Sequence, residues 1–411
     1  MTGHDNGNAG TTPAAAGGVE ATGAVFPAPV AFPVHHISDD LALATACARW
    51  RSKPAIALDT EFERVKTFWP KLALIQLCDG EQVAIIDPLT ISNWRPFAEL
   101  LQDPKVVKVM HAAGEDLETF LSACDAVPTP LYDTQTALGL VGKGVSLGYA
   151  GAVQQYFGIT LSKDMARTDW LMRPLSEEQL HYAVADVTYL LPIWQDTARL
   201  LAERDLESWH REDGEFAARR LTQQEPPAFL YRKLKAAFVL KGAQLAIARE
   251  LCAWREQEAR GHNIPRGHLL KDESLILICQ KAPKNWPALA ALETLHPRAL
   301  RVHGQAILQA VERGLACPQA QWPAPVRRLI DLPYGKATME AMIAAVAAFA
   351  EQRAIPAEMV FSRRTLESLL LAIADGQPFP PANWQGWRRA GVQSALAMAL
   401  NAAGLNLPDW W

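Results

Sequence analysis

Ala55-Ile56-Ala57-Leu58-Asp59-Thr60-Glu61-Phe62 is the stretch on which the reading of the fold turns. Its opening residues form a short apolar run of strand length. Two carboxylates spaced by one residue come next. Residues i and i+2 of a strand face the same side, so Asp59 and Glu61 aim together beyond the run that anchors them. Like charges held side by side repel, and a cation is the usual remedy. The same spacing fits a solvated acidic turn, and this pair alone does not separate the two.

Leu72 to Leu77 (LALIQL) and Val83 to Ile86 (VAII) read as two more buried strands, divided by the turn signal Asp79-Gly80. Consecutive short strands with tight turns predict an antiparallel meander. Val106 to Met110 reads as a further strand, feeding a helix from about Gly114 to Ala123. Asp39 to Arg51 has helical spacing. Ser176-Glu177-Glu178-Gln179 is a capping box. It opens a helix with apolar positions Leu180, Ala183, Val184, Val187, Leu190 and Leu191, predicted to end near Pro192. Together these elements predict an α/β domain with a mixed central sheet flanked by helices.

Past the linker Glu225-Pro226-Pro227 the pattern is almost wholly helical, with breaks at Pro283, Pro297 and Cys317 to Pro325. A second linker runs through Trp322-Pro323-Ala324-Pro325. Trp254-Arg255-Glu256-Gln257, Ile264-Pro265 and Leu275 recur as Phe349-Ala350-Glu351-Gln352, Ile355-Pro356 and Leu366. From Ile-Pro onward the offset is 91 residues, which predicts two similar all-α bundles. Residues 1 to about 25 are Gly, Ala, Thr and Asn with almost no large apolar side chain. They cannot bury enough surface to offset ordering entropy, so the segment 1–30 is expected to be disordered. The predicted division is therefore 31–215, 228–318 and 326–411.

The 411-residue chain carries a net charge of −4, distributed unevenly. Residues 1–225 hold 18 Lys and Arg against 30 Asp and Glu, whereas residues 226–318 hold 14 against 7. An acidic first half joined to a basic middle fits a metal-dependent module beside one that binds a polyanion. The six cysteines form no CxxC pair, which argues for reduced core thiols rather than a zinc site or a disulfide framework. The N-terminus lacks the pattern of a secretory signal. The most apolar window, Met339 to Ala350, contains Glu340 and is too short to span a bilayer. A cytoplasmic protein with no membrane partner is expected, and a monomer.

Further carboxylates complete the pattern. His111-Ala112-Ala113-Gly114-Glu115-Asp116 places Asp116 in the first turn of a helix, where the dipole favours it. His111 fits a hydrogen-bonded structural role better than a ligand role, and it stays among the candidate substrate contacts. Tyr182 and Asp186 share one helix face at i, i+4. They fit a tyrosine packed on the sheet with a surface aspartate, or a tyrosine beside a metal-bound water. Arg232, Lys233 and Lys235, with Lys241, Arg266 and Lys271, form a basic stretch that fits either a polyanion backbone or an ordinary solvated helix face. Phe62, Phe68 and Trp69 are candidates to stack on a terminal base, Phe62 first, while Phe68 and Trp69 fit core packing as well.

In order and context these segments resemble the DEDDy class of 3′–5′ exonucleases, and more narrowly ribonuclease D. The resemblance rests on Leu58-Asp59-Thr60-Glu61-Phe62, Lys71 to Leu77, His111-Ala112 with Glu115-Asp116-Leu117, and Tyr132-Asp133-Thr134-Gln135. It continues through Thr168-Asp169-Trp170, Arg173-Pro174-Leu175, Tyr182-Ala183 and Asp186-Val187. Residues 228–318 resemble an HRDC module, and 326–411 look like a second, more divergent one. The resemblance implies a ribonuclease H-like fold. It also implies that Asp59, Glu61, Asp116 and Asp186 bind two divalent cations, Mg²⁺ or Mn²⁺, about 4 Å apart. It implies that Tyr182 positions the attacking water, with Thr60, Phe62 and His111 near the substrate. The implied activity is release of nucleoside 5′-monophosphates from the 3′ end of structured RNA such as tRNA precursors. A DNA exonuclease of the same class remains open, because discrimination rests on the 2′-hydroxyl. A nucleic-acid-binding adaptor with a vestigial site is the alternative from another class.

Overall fold

The computed structural model describes residues 31–411 except 163, 224 and 294. The expected disorder of residues 1–30 lies outside the described residues. A six-stranded mixed sheet has the order β1-β4-β3-β2-β5-β6. Its strands are β1 (Val34–Ile37), β2 (Ala55–Glu63), β3 (Lys71–Cys78), β4 (Val83–Ile86), β5 (Val107–Met110) and β6 (Leu131–Asp133). The meander β2-β3-β4 is antiparallel, as expected, while β1, β5 and β6 join in parallel. The outer strands β1 and β6 escaped the sequence reading. Val-His-His-Ile and Leu-Tyr-Asp are too short and too polar to display an apolar period.

β2 runs to Glu63, well past its apolar start, so Asp59 and Glu61 lie inside a strand opposite Gln76 and Leu74. The register shifts between Glu61 and Phe62. Such a bulge kinks a strand and re-aims its side chains.

The sheet's two faces differ. Ile56, Leu58, Ile75, Leu77 and Ile86 pack one face against α1 (Asp40–Trp50), α2 (Arg95–Leu101) and α3 (Gly114–Cys124). The face shared by Asp59 and Glu61 is lined by Ala55, Ala57 and Ala73. These small side chains let α6 (Glu177–Thr188) lie close, with Ala183 and Val187 against them. α4 (Thr134–Leu140), α5 (Tyr149–Phe157), α7 (Leu190–Glu203) and α8 (Glu207–Thr222) complete the α/β part. The Ser176–Gln179 capping box forms as the sequence requires. The helix stops at Thr188 rather than near Pro192. Pro192 instead occupies the first turn of α7, where a missing N–H costs no hydrogen bond.

The remaining helices fall into two runs. The first holds α9 (Ala243–Gly261), α10 (Arg266–Leu269), α11 (Asp272–Lys281), α12 (Trp286–Ala290) and α13 (Pro297–Ala316). The second holds α14 (Gly335–Gln352), α15 (Ala357–Val360), α16 (Arg363–Ala374) and α17 (Gly386–Ala402). Long, one-turn, medium and long helices recur in the same order, with α12 as an addition. Asn263 and Ala354 occupy the same place in the two runs, with φ of 52° and 51°. Pro297 starts α13 instead of breaking a helix. All six cysteines are free thiols, and five of them are buried. Among the described residues, no helix is long and apolar enough to cross a membrane.

Candidate active site

Asp59 and Glu61 project from β2 toward Asp186 on α6, and carboxylate oxygens of the three lie within 4.8 Å of one another. Three neighbouring features put them there: the strand period, the alanine-lined face and the capped start of α6. Asp116, in the first turn of α3, is buried and accepts a hydrogen bond from the Thr60 hydroxyl. Its charge acts on Asp59, Glu61 and Asp186 alike. Tyr182 stands one helical turn before Asp186, on the same face, where its phenol favours the ionised form of that carboxyl. The Tyr182 ring sits 5.9 Å from that of Trp170.

The electrostatics follow from this crowding. Burial, and then the charges of Asp116, Asp186 and Glu61, lifts Asp59 well above the ordinary carboxylate range. Burial followed by Asp186 and Asp116 pushes Glu61 up to about 9. Burial pushes Asp116 up to about 7 against the lowering hydrogen bond from Thr60. It pushes Asp186 up to about 7 against the lowering influence of Tyr182. Four carboxyls that resist ionising together, offering oxygen alone, form a donor set suited to a hard divalent cation.

The remaining predicted contacts divide. Phe62 follows Glu61 on β2 and is half-buried. His111 has both ring nitrogens occupied, by the Thr134 hydroxyl at 2.8 Å and the Leu147 carbonyl at 2.9 Å. That is the structural role, and it leaves no ring nitrogen for substrate. Thr60 is buried with its hydroxyl committed to Asp116. Phe68 takes the core-packing reading: it is buried against Ala259 and Leu269 of the helical half, so it does not stack on a base. Arg232 is a correction, since its guanidinium pairs with buried Asp375. Arg266 pairs with Glu256, and exposed Lys233 with Glu225. Lys235, Lys241 and Lys271 are exposed.

Supporting residues emerged that sequence reasoning left without a role. Asp133 caps α4 through the N–H groups of Gln135 and Thr136, and also accepts from Ala112 and Ala113 at 3.1 Å each. It thereby fixes the turn that launches α3 and Asp116. Tyr149 braces α6 by donating to the Ala185 carbonyl at 2.8 Å and accepting from Tyr189 N at 3.2 Å. Arg173 grips Asp87 at 2.7 and 2.8 Å and the carbonyls of Ala73 and Trp170 at 2.8 Å each. Asp133 and Arg173 stand within the quoted motifs, which was the available signal. Nothing local marks Tyr149.

A family model for a 3′–5′ exonuclease matches residues 34–202, and one for the HRDC domain matches residues 244–311. Ribonuclease D of Pseudomonas paraeruginosa is 39% identical over 371 residues, covering 90% of this chain and 98% of that protein. The chain belongs to the ribonuclease D family. Ribonuclease D of Escherichia coli is 38% identical, over 81% of this chain and 89% of its own. The crystal structure of Escherichia coli RNase D, an exoribonuclease involved in structured RNA processing, matches with a TM-score of 0.83 at 35% identity. That match covers 90% of this chain and 99% of the other. The catalytic core of RRP6 from Trypanosoma brucei, at TM-score 0.56 and 24% identity, shares the fold over 69% of this chain and 80% of that one.

Proposed function

We propose that this ribonuclease D relative is a 3′→5′ exoribonuclease that trims structured RNA such as tRNA precursors and releases nucleoside 5′-monophosphates. The observation that carries the reading is the convergence of Asp59, Glu61 and Asp186 within 4.8 Å, all oxygen donors. With Asp116 they would hold two Mg²⁺ or Mn²⁺ ions. Bound there, such ions supply neutralisation of the scissile phosphate, a more acidic water and stabilisation of the leaving 3′-oxygen.

The chain's own groups do the positioning. Burial, and then the charges of Asp186, Glu61 and Asp59, raises the Tyr182 phenol above its ordinary value. Tyr182 Oη therefore keeps its proton and orients the attacking water rather than deprotonating it. Thr60 aligns Asp116 through its hydroxyl, and Phe62 lies beside Glu61 where a terminal base would stack. Exposed Lys235, with Lys233 nearby in an ion pair to Glu225, supports reading the basic helical half as the RNA-holding part. The matching helix order supports reading 326–411 as a second HRDC-like module after 228–318. The protein is read as a cytoplasmic monomer.

The deciding experiment degrades 3′-tailed RNA and matched DNA with Mg²⁺, Mn²⁺ or chelator. RNA shortened from its 3′ end, with mononucleotide release abolished by chelator, is expected. Equal degradation of DNA would favour the DNA exonuclease, and binding without hydrolysis under every metal condition would favour the adaptor.

A further inference from the structure

The segment 64–70 joins the strand of Asp59 and Glu61 to β3, and a residue of the helical half holds its backbone. Asn263 Oδ1 accepts from the N–H of Phe68 at 3.0 Å and of Trp69 at 2.9 Å. Asn263 follows α9 at φ 52°, a left-handed conformation that asparagine tolerates better than most residues. Arg260 and Arg266 lie 4.9 and 4.6 Å from the Phe68 ring centroid. Glu256 accepts from Arg260 at 2.6 Å and from Arg266 at 2.8 Å, which fixes both guanidiniums. Phe68 beneath them is 4% exposed. A side chain satisfying two backbone donors some 195 residues away is a built contact, not a chance touch.

The segment is tied at its other end as well. Arg64 Nε donates to the Phe68 carbonyl at 3.2 Å. Its two terminal nitrogens donate to Glu118 at 2.6 and 3.0 Å. Glu118 lies on α3, two residues beyond Asp116, and Arg64 lies three beyond Glu61. Segment 64–70 thus bridges the two elements that carry Glu61 and Asp116.

The position equivalent to Asn263 is Ala354, which also meets the α/β part: its carbonyl accepts from Arg204, and neighbouring Arg353 lies 4.8 Å from the Trp209 ring. Both runs dock through the same turn. Alanine has no carboxamide, so the first run alone grips with that side chain, and it grips the strand-to-strand segment beside the carboxylates.

We propose that Asn263 is a positioning residue for the nuclease reaction. It sets segment 64–70 and, through Arg64 and Glu118, the spacing of β2 and α3 on which the carboxylate set depends. This rests on the exoribonuclease reading above.

The test uses full-length protein. Asn263→Gly removes the acceptor and keeps the left-handed backbone accessible, whereas Asn263→Asp keeps an acceptor for both N–H groups. Misplacing a reacting geometry by about 1 Å costs on the order of 100-fold. On an unstructured RNA tetranucleotide, Asn263→Gly should lower kcat by about 10- to 100-fold with little change in KM. Asn263→Asp should restore it. Hydrogen exchange at Phe68, Trp69 and the first turn of α3 should speed up in the glycine variant and not in the aspartate one. Glu118→Ala removes both acceptors at the far end of the same bridge and should give the same kcat loss, so it decides the matter if Asn263→Gly fails to fold. Unchanged kcat in folded Asn263→Gly, with faster exchange at Phe68, would reduce the contact to a structural clamp. A wild-type protein that hydrolyses no RNA would instead sink the exoribonuclease reading, and the positioning role with it.

Discussion

At the residue scale, the carboxylates of Asp59, Glu61 and Asp186 stand too close together to share ionisation comfortably. A carboxyl with a raised folded pKa stabilises the fold below its unfolded value and loses that contribution as pH rises. For Glu61 the window runs from 4.5 to about 9. Without metal, the melting temperature of wild type relative to Glu61→Gln should fall across this window. Mg²⁺ should raise the wild-type value more at its alkaline end. A scanning-fluorimetry difference flat in both pH and Mg²⁺ would rule out a cation site there. Asp59→Asn should abolish hydrolysis while circular dichroism stays native; near-wild-type activity would refute its ligand role. Tyr182→Phe should slow turnover by about 10²- to 10⁴-fold, the scale on which side chains positioned on a reacting group act, because the hydroxyl that orients the water is lost. RNA affinity should change far less; lost affinity with intact turnover would make Tyr182 a packing residue. The Asp59–Glu61 pair was legible because a strand's two-residue period is local. The fate of Arg232 was not, because its partner Asp375 lies 143 residues away.

At the scale of elements, α3 and α4 begin from one shared acceptor. Asp133 takes four backbone N–H groups, two from each side. Asp133→Ala strips all of them, and losing a cap typically costs about 1 kcal/mol with more for each buried donor left unmade. A loss of about 2–4 kcal/mol in urea unfolding is expected, with reduced hydrolysis because α3 carries Asp116. A loss under about 0.5 kcal/mol would mean that water replaces the carboxylate without penalty. The central strands and the α6 cap could be read from the sequence, since apolar runs and a Ser-to-Gln spacing declare themselves within a few residues. The break between α6 and α7 could not. It depends on Tyr149, which takes the Tyr189 N–H from across the fold, while Pro192 fits either the end of one helix or the start of the next.

At the scale of the molecule, the α/β part and the two helical runs meet pairwise. The α/β part and the first helical run meet at Asn263 and Phe68. The two runs meet through Arg232 on Asp375 and through the Phe229 and Phe379 rings, 4.6 Å apart. The second run returns to α8, where Trp387 stacks on Trp209 at 4.2 Å and Arg388 pairs with Asp213. Removing a buried tryptophan costs roughly 3–5 kcal/mol. Trp387→Ala should therefore lower the melting temperature and raise proteolytic cutting near residues 317–326, with tetranucleotide turnover nearly kept. An unchanged cutting pattern would mean the stack does not hold the second run in place. None of these meetings could be read from composition, since each joins residues far apart in the chain, such as Arg232 and Asp375, 143 residues apart. Their arrangement makes a closed circuit, and a circuit has a property that no single contact has. When one junction opens, the other two keep its faces tethered at an effective concentration on the order of millimolar, so it recloses without diffusion. Damage at one junction should therefore show first as faster local opening, read by hydrogen exchange, long before the average shape of the molecule changes.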